Sequence, residues 1–233
     1  MDFTKKNCRA MMLFWVVMLN VGSMASLLAV VVGCDHHVGT NTSAYMGHKY
    51  VDLQLPSGTK WATANLGGEE DELASEFYSW GELEVKRSYS KNNYQWMSGY
   101  PEEYGVLQDK HDVAHVRWEG KWRLPTKEEM EELEDTIHNT TWVFSPLNGH
   151  VSWLVKSKRN GQTIRLMALG YMKEGKLEQD SIGFYLGASV GTSMENTFVC
   201  MGFNNDTINM GDAGRYFGYT VRQIGRASCR ERV

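Results

Sequence analysis

Apolar and polar residues alternate in short bursts along most of this chain, and one long apolar run stands apart from them. Over residues 11–32 hydrophobic side chains are interrupted only by Asn20, Gly22, Ser23 and Ser26. Residues 34–48 are polar and aperiodic, which predicts a flexible tether. Residues 50–55 alternate and stop at Pro56, Ser57 and Gly58, the pattern of a strand entering a tight turn, with 60–64 as its hairpin partner. Residues 67–104 have no steady period but carry Phe77, Tyr78, Trp80, Tyr89, Tyr94, Trp96 and Tyr100. Disordered chains are poor in rings, so this stretch is expected to form long loops pinned by buried aromatics. Thr126 followed by Glu129 is a capping box, and Met130, Leu133 and Ile137 then fall on one helical face. A shorter helix is expected over 109–116, before Trp118. Beyond Thr141 the spacing predicts strands at 151–156, 163–169, 183–188, 196–203 and 218–222. Asn160-Gly161 joins the first two as a hairpin turn. The economical reading is one α+β domain over residues 49–223.

The chain's ends change that picture. Lys5, Lys6 and Arg9 precede the apolar run, so residues 1–33 have the charged and hydrophobic regions of an export signal. Val31-Val32-Gly33-Cys34 resembles the lipobox of bacterial lipoproteins, with Val31 in place of the usual Leu. The resemblance implies cleavage before Cys34, lipid attachment to it, and residence in the cell envelope, at the outer membrane or cell surface. An uncleaved anchor is the alternative, since about 20 apolar residues span a bilayer. It gives no reason for Gly-Cys at the run's outer edge. A single acyl chain holds a protein only marginally, whereas the two or more of a lipoprotein hold it stably. Residues 224–233 break from the aromatic, Gly-rich pattern before them and resemble a translated short-read sequencing adapter, so they are set aside as an artefactual tail.

Without residues 1–33 and 224–233, Lys plus Arg falls from 24 to 18 and Asp plus Glu from 28 to 26. The net charge moves from −4 to about −8 by the same counting. An acidic surface argues against nucleic acid or anionic lipid as a partner. Cys8, Cys34 and Cys229 lie in the leader, at the anchor and in the tail, which leaves Cys200 alone in the domain. No internal disulfide can form despite export, and a core built with many of the chain's eight Trp must hold the fold.

Several segments then carry a family resemblance in order along the chain: Tyr50-Val-Asp-Leu53, Leu55 to Thr63 (LPSGTKWAT), Ser79-Trp-Gly-Glu82, Trp122-Arg-Leu-Pro-Thr126, Gly170-Tyr171 and Gly218-Tyr-Thr-Val-Arg222. Together they resemble the Fibrobacter succinogenes major paralogous domain, common in Bacteroidetes lipoproteins, over residues 50–222. The resemblance implies a C-type-lectin-like fold of the formylglycine-generating-enzyme type, with a twisted antiparallel sheet, flanking helices and long loops displaying a binding surface. Family members end Val-Arg-Pro-Val, so it also implies Pro where Gln223 stands. The C-terminal layout is similar to that of retroelement-diversified variable proteins, whose mutable positions lie in a stretch like 183–222.

Candidate chemistry is sparse. His111 and His115 are four apart with Asp112 between them, a minimal metal-ligand spacing without an evident third ligand; a helix with one satisfied and one solvent-facing histidine is the alternative. Formylglycine-generating enzymes use paired cysteines, and Cys200 has no partner, so it is expected to be a small buried hydrophobe. The Glu-Pro-Asn and Trp-Asn-Asp motifs of calcium-dependent lectins do not occur. No metal, cofactor or catalytic residue is therefore assigned. The expected site is a non-catalytic surface of C-terminal loops, where Tyr185, Asn204, Asn205, Asp206, Asp212, Arg215 and Tyr216 offer ring faces and adaptable hydrogen bonds to a glycan or protein. Core packing of the two tyrosines and turn formation by Asn and Asp is the competing reading. Arg123 and Asp112 are expected to support the fold. An enzyme on the formylglycine-generating scaffold and a purely structural envelope component are the other function classes.

Overall fold

In the computed structural model, residues 42–69 and 71–226 are described; the leader, Cys34 and residues 227–233 lie outside them. Strand β1 (Thr42–Tyr45) and β2 (His48–Asp52) form a hairpin. Its turn residues Met46 and Gly47 both have positive φ, 52° and 83°, as a two-residue type I′ turn requires. Residues 42–48 of the stretch expected to be a tether are thus part of a strand pair. The reason is aromatic: Tyr45 packs on Trp122, and His48 stacks on Trp118 with ring centroids 3.7 Å apart. β3 (Lys60–Ala62) is the expected partner of β2, with Val51 opposite Trp61.

The aromatic stretch behaves as its composition predicts, for Tyr78, Trp80, Tyr89 and Tyr94 are buried in a segment without long strands. It ends in the short pair β4 (Glu102–Glu103) and β5 (Val106–Leu107). The helix expected over 109–116 is instead a 3-10 turn at Asp109–His111 followed by α1 (Val113–Trp118). Asp112 separates them because its carboxylate caps α1, accepting from the N–H groups of Ala114 and His115. α2 (Lys127–Glu134) starts with the expected reciprocal Thr126–Glu129 capping box. It stops short of Ile137, which is 77% exposed and not on the core face. Asp135 ends the helix by accepting from the N–H groups of Ile137 and His138.

β6 (Thr140–Phe144), β7 (Ser152–Ser157) and β8 (Thr163–Met167) form a three-stranded antiparallel sheet, β7 and β8 joined through Asn160-Gly161 as expected. β9 (Tyr171–Lys173) and β10 (Lys176–Glu178) make a small hairpin. β11 (Gly183–Val190), β12 (Thr197–Phe203) and β13 (Ile208–Gly214) continue onto β5 and β4 as a five-stranded sheet. β13 corrects the expectation of a loop surface after Phe203, since it pairs with β12 in continuous register from Thr197↔Gly214 to Phe203↔Ile208. The strand expected at 218–222 is replaced by single bridges to Met172, Tyr78 and Tyr185, three different neighbours. β14 (Ile224–Gly225) pairs with β3, and Ile224 is buried, so the first residues of the stretch set aside as a tail belong to the sheet.

The described residues are therefore mainly β, in antiparallel sheets with two short α-helices, rather than the α+β expected. Both faces of β11 and β12 are covered. Leu186, Ala188, Phe198 and Cys200 pack on one side with Trp80, Trp122 and Tyr219. Tyr185, Met201 and Phe203 pack on the other with Trp61, Met130 and Leu133. The period of two in a strand delivers these alternate residues to opposite cores. Among the described residues no helix is long and apolar enough to cross a membrane.

Candidate ligand-binding surface

The residues expected to share one surface are dispersed by this sheet. Tyr185 is in the core, fully buried, with its hydroxyl 3.0 Å from the Met167 N–H and 3.1 Å from the Met167 carbonyl, so it is not a surface ring. On the face of β11 opposite to Leu186 and Ala188, it stacks on Phe203. Asn204 is a turn former whose Oδ1 accepts from the N–H groups of Asp206 and Thr207 at 2.8 Å each. Asn205 and Asp206 are the exposed tip of the β12–β13 turn. Tyr216 is half-buried beside Phe217, with the Lys91 ammonium over its ring. Arg215 and Asp212 both hold the segment between β11 and β12, Arg215 through Asn196 and Asp212 through Thr192 and Ser193.

There a cavity of about 350 Å³ is lined by Met97, Tyr100, Glu102, Met194, Asn196 and Arg215, among others. Arg215 is its buried floor, fixed from four directions. Its backbone N–H donates to Asn196 O at 3.0 Å and its carbonyl accepts from the Trp80 N–H. Its Nε donates to Thr197 O at 2.9 Å, and its Nη2 donates to Glu102 Oε1 at 3.0 Å. The guanidinium also lies 4.2 Å from the Trp80 ring centroid, a cation–π contact shielded from water. Glu102 Oε2 is buried without a hydrogen-bond partner. A buried ion pair thus lies beneath a cavity whose lining mixes Met97, Tyr100 and Met194 with Ser98, Glu195 and Asn196.

The mouth is unusually rich in exposed large side chains. Tyr100 is 80% exposed and Met194 69%, and the β4–β5 turn beside them presents Tyr104 at 96% together with Val106. That turn is tied to the cavity wall, as the Val190 N–H donates to Gly105 O at 2.9 Å. Clustered exposed apolar side chains of this kind mark interaction sites on soluble domains. The opposite rim, residues 191–196, is held from below by Asp212. Its Oδ2 accepts from the N–H groups of Thr192 and Ser193 at 2.9 and 2.6 Å and from the Ser193 hydroxyl. Against a burial that would raise it, these bonds hold the Asp212 carboxyl below its ordinary range. Asp212 thus positions the rim that carries Met194.

The remaining candidates have structural partners. His115 Nδ1 lies 3.1 Å from Trp122 O, and His111 sits edge-on to Trp96. The Asp112 carboxylate is occupied by the N–H groups of Ala114, His115 and Leu124. Arg123 holds Glu129 through both guanidinium nitrogens, at 2.8 and 2.6 Å, so both residues support the fold as expected. Cys200 is buried, which together with nearby Asp212 pushes its thiol up to about 12. Among the described residues no group of three or more His, Cys, Asp or Glu side chains is arranged to hold a metal ion. Comparison with protein-family models, curated proteins and solved structures finds no match for the chain.

Proposed function

We propose that this chain is an exported envelope lipoprotein, anchored through Cys34. Its domain, a C-type-lectin-like fold of the Fibrobacter succinogenes major paralogous type, binds a glycan or protein ligand without catalysis. The observation that carries the binding reading is the exposed Tyr100–Met194 mouth above the buried Arg215–Glu102 pair. Tyr and Met are enriched where surfaces bind, because they offer large contact area, and Arg adds directional hydrogen bonds. A thiol-redox enzyme would need an accessible thiolate, and burial holds the Cys200 thiol protonated at neutral pH.

The test is a glycan array followed by titration of the best ligands, or of protein candidates from the same envelope, with the mature chain and its Tyr100→Ala and Met194→Ala variants. Each variant should weaken binding severalfold without changing the far-UV spectrum. Binding unaltered in both would remove this mouth from the proposal. Metabolic labelling with a radioactive fatty acid tests the anchor separately: label should enter the wild type and not Cys34→Ser.

A further inference from the structure

A second concave site is built from a separate set of residues. The β9–β10 turn residues Glu174 and Gly175 have φ of 48° and 78°, which folds the turn against the loop around Tyr89. There the Glu174 N–H donates to Tyr89 O at 2.9 Å, and a side chain at Gly175 would meet Arg87 O at 3.3 Å. Between turn and loop lies a cavity of about 350 Å³ whose lining includes Lys91, Asn92, Lys173, Glu174, Tyr216 and Phe217. The Lys91 ammonium stands 5.2 Å over the Tyr216 ring and that of Lys173 stands 5.6 Å over the Phe217 ring. The two rings are themselves 4.4 Å apart. Two ammonium groups are thus brought to one cavity by aromatic faces rather than by carboxylates.

Like most cations of the described residues, those around this cavity are in no ion pair. Lys60, Lys86, Arg117, Arg123, Lys127, Arg165 and Arg215 are all in ion pairs. Lys91 and Lys173, with Arg87 and Lys176 on the same loop and hairpin, enter none among the described residues. The one carboxylate of the lining, Glu174, is exposed. In a domain whose acidic residues outnumber its basic ones, unpaired cations gathered round a concavity form a local positive field.

We propose that this cavity binds an acidic sugar residue of an envelope polysaccharide. Its carboxylate or phosphate sits between the ammonium groups of Lys91 and Lys173, and its hydroxyls reach the Asn92 amide and the Tyr216 hydroxyl. The concave shape suits a sugar ring better than a flat bilayer, and the acidic remainder of the domain opposes an anionic membrane. The assignment does not depend on what the Arg215 pocket binds.

Calorimetric titration of the mature chain in 0.15 M salt would use an oligogalacturonate, the same oligomer with its carboxyls reduced, a phosphomannan oligomer, and phosphatidylglycerol vesicles. One or both acidic oligomers should bind saturably, one per chain, and the reduced oligomer should not. The Lys91→Gln/Lys173→Gln double variant should lose roughly tenfold or more in affinity, as the combined loss of two partly exposed charge contacts gives. Glu174→Gln should tighten binding, and Lys121→Gln, a charge change outside the cavity lining, should leave it unchanged. Absence of binding to both acidic oligomers, equal binding of the reduced one, indifference to the double variant, or binding to vesicles alone would each overturn the proposal.

Discussion

Gln223 is a buried amide that the fold leaves unsatisfied, and replacing it should stabilise the protein. The residue is fully buried, and neither its Nε2 nor its Oε1 has a hydrogen-bond partner. Its backbone carbonyl accepts from the Ala62 N–H at 3.0 Å, which no side-chain substitution removes. A buried polar group without a partner costs about 1–3 kcal/mol in proteins. Taking the low end for each of the two atoms, Gln223→Leu should gain about 2 kcal/mol, because Leu keeps most of the volume and carries nothing to desolvate. For a domain of this size that is a rise in Tm of about 4–8 °C. Urea and thermal unfolding of the mature chain, followed by tryptophan fluorescence, would measure it, with Gln223→Glu as a control expected to destabilise strongly. Gln223→Pro should be tolerated as well, since the Gln223 N–H donates no hydrogen bond among the described residues. Pro is also the residue that the family resemblance implies there. Equal or lower stability of Gln223→Leu would refute the reasoning by showing that the amide is satisfied in solution.

Three further outcomes follow from charged side chains. Burial pushes the Asp112 carboxyl up to about 6, against the Leu124, His115 and Ala114 N–H bonds and Arg123. A raised folded pKa means a contribution to stability that is complete below about pH 4 and lost as pH rises through 6, on the order of 3 kcal/mol. Asp112→Asn should abolish that decline, and parallel stability–pH curves for the two proteins would contradict it. At the Arg215 floor, Glu102→Gln or Arg215→Met alone should cost about 3–5 kcal/mol by stranding the partner's charge. The double Glu102→Leu/Arg215→Met variant should cost less than the sum, and additive losses in denaturant melts would show the pair to be uncoupled. Asp212→Ala should speed hydrogen exchange at the Thr192 and Ser193 amides while leaving the β11–β12 amides protected, and unchanged exchange at both would separate Asp212 from the rim.

What the sequence disclosed depended on whether a feature is local. The β2–β3 and β7–β8 hairpins and the start of α2 were legible because alternation, a turn and a capping box lie within a few residues of one another. β13 was not, because Gly211, Asp212 and Gly214 dilute its alternation of Ile208 and Met210, and only pairing with β12 over its whole length selects the strand. The β9–β10 hairpin hid behind a Glu174-Gly175 turn, a weaker signal than Asn-Gly. At the site, Arg215 could be singled out by type, but its partner Glu102 is 113 residues away, and no local pattern joins them.

The rings of the aperiodic aromatic stretch show most directly where local reading ends. Tyr89 and Tyr94 are buried because each hydroxyl finds a carbonyl, that of Phe77 at 2.5 Å and that of Trp80 at 2.8 Å. A tyrosine can enter a core only when its hydroxyl is satisfied there. Tyr100 and Tyr104 make no such bond among the described residues, and they stand in solvent at the mouth of the cavity. All four belong to the same kind of sequence, without period or motif to tell them apart. Their fates are set by which backbone carbonyls the loops leave facing inward, a property of the assembled fold, and the two rings left without an acceptor are the ones free to meet a ligand.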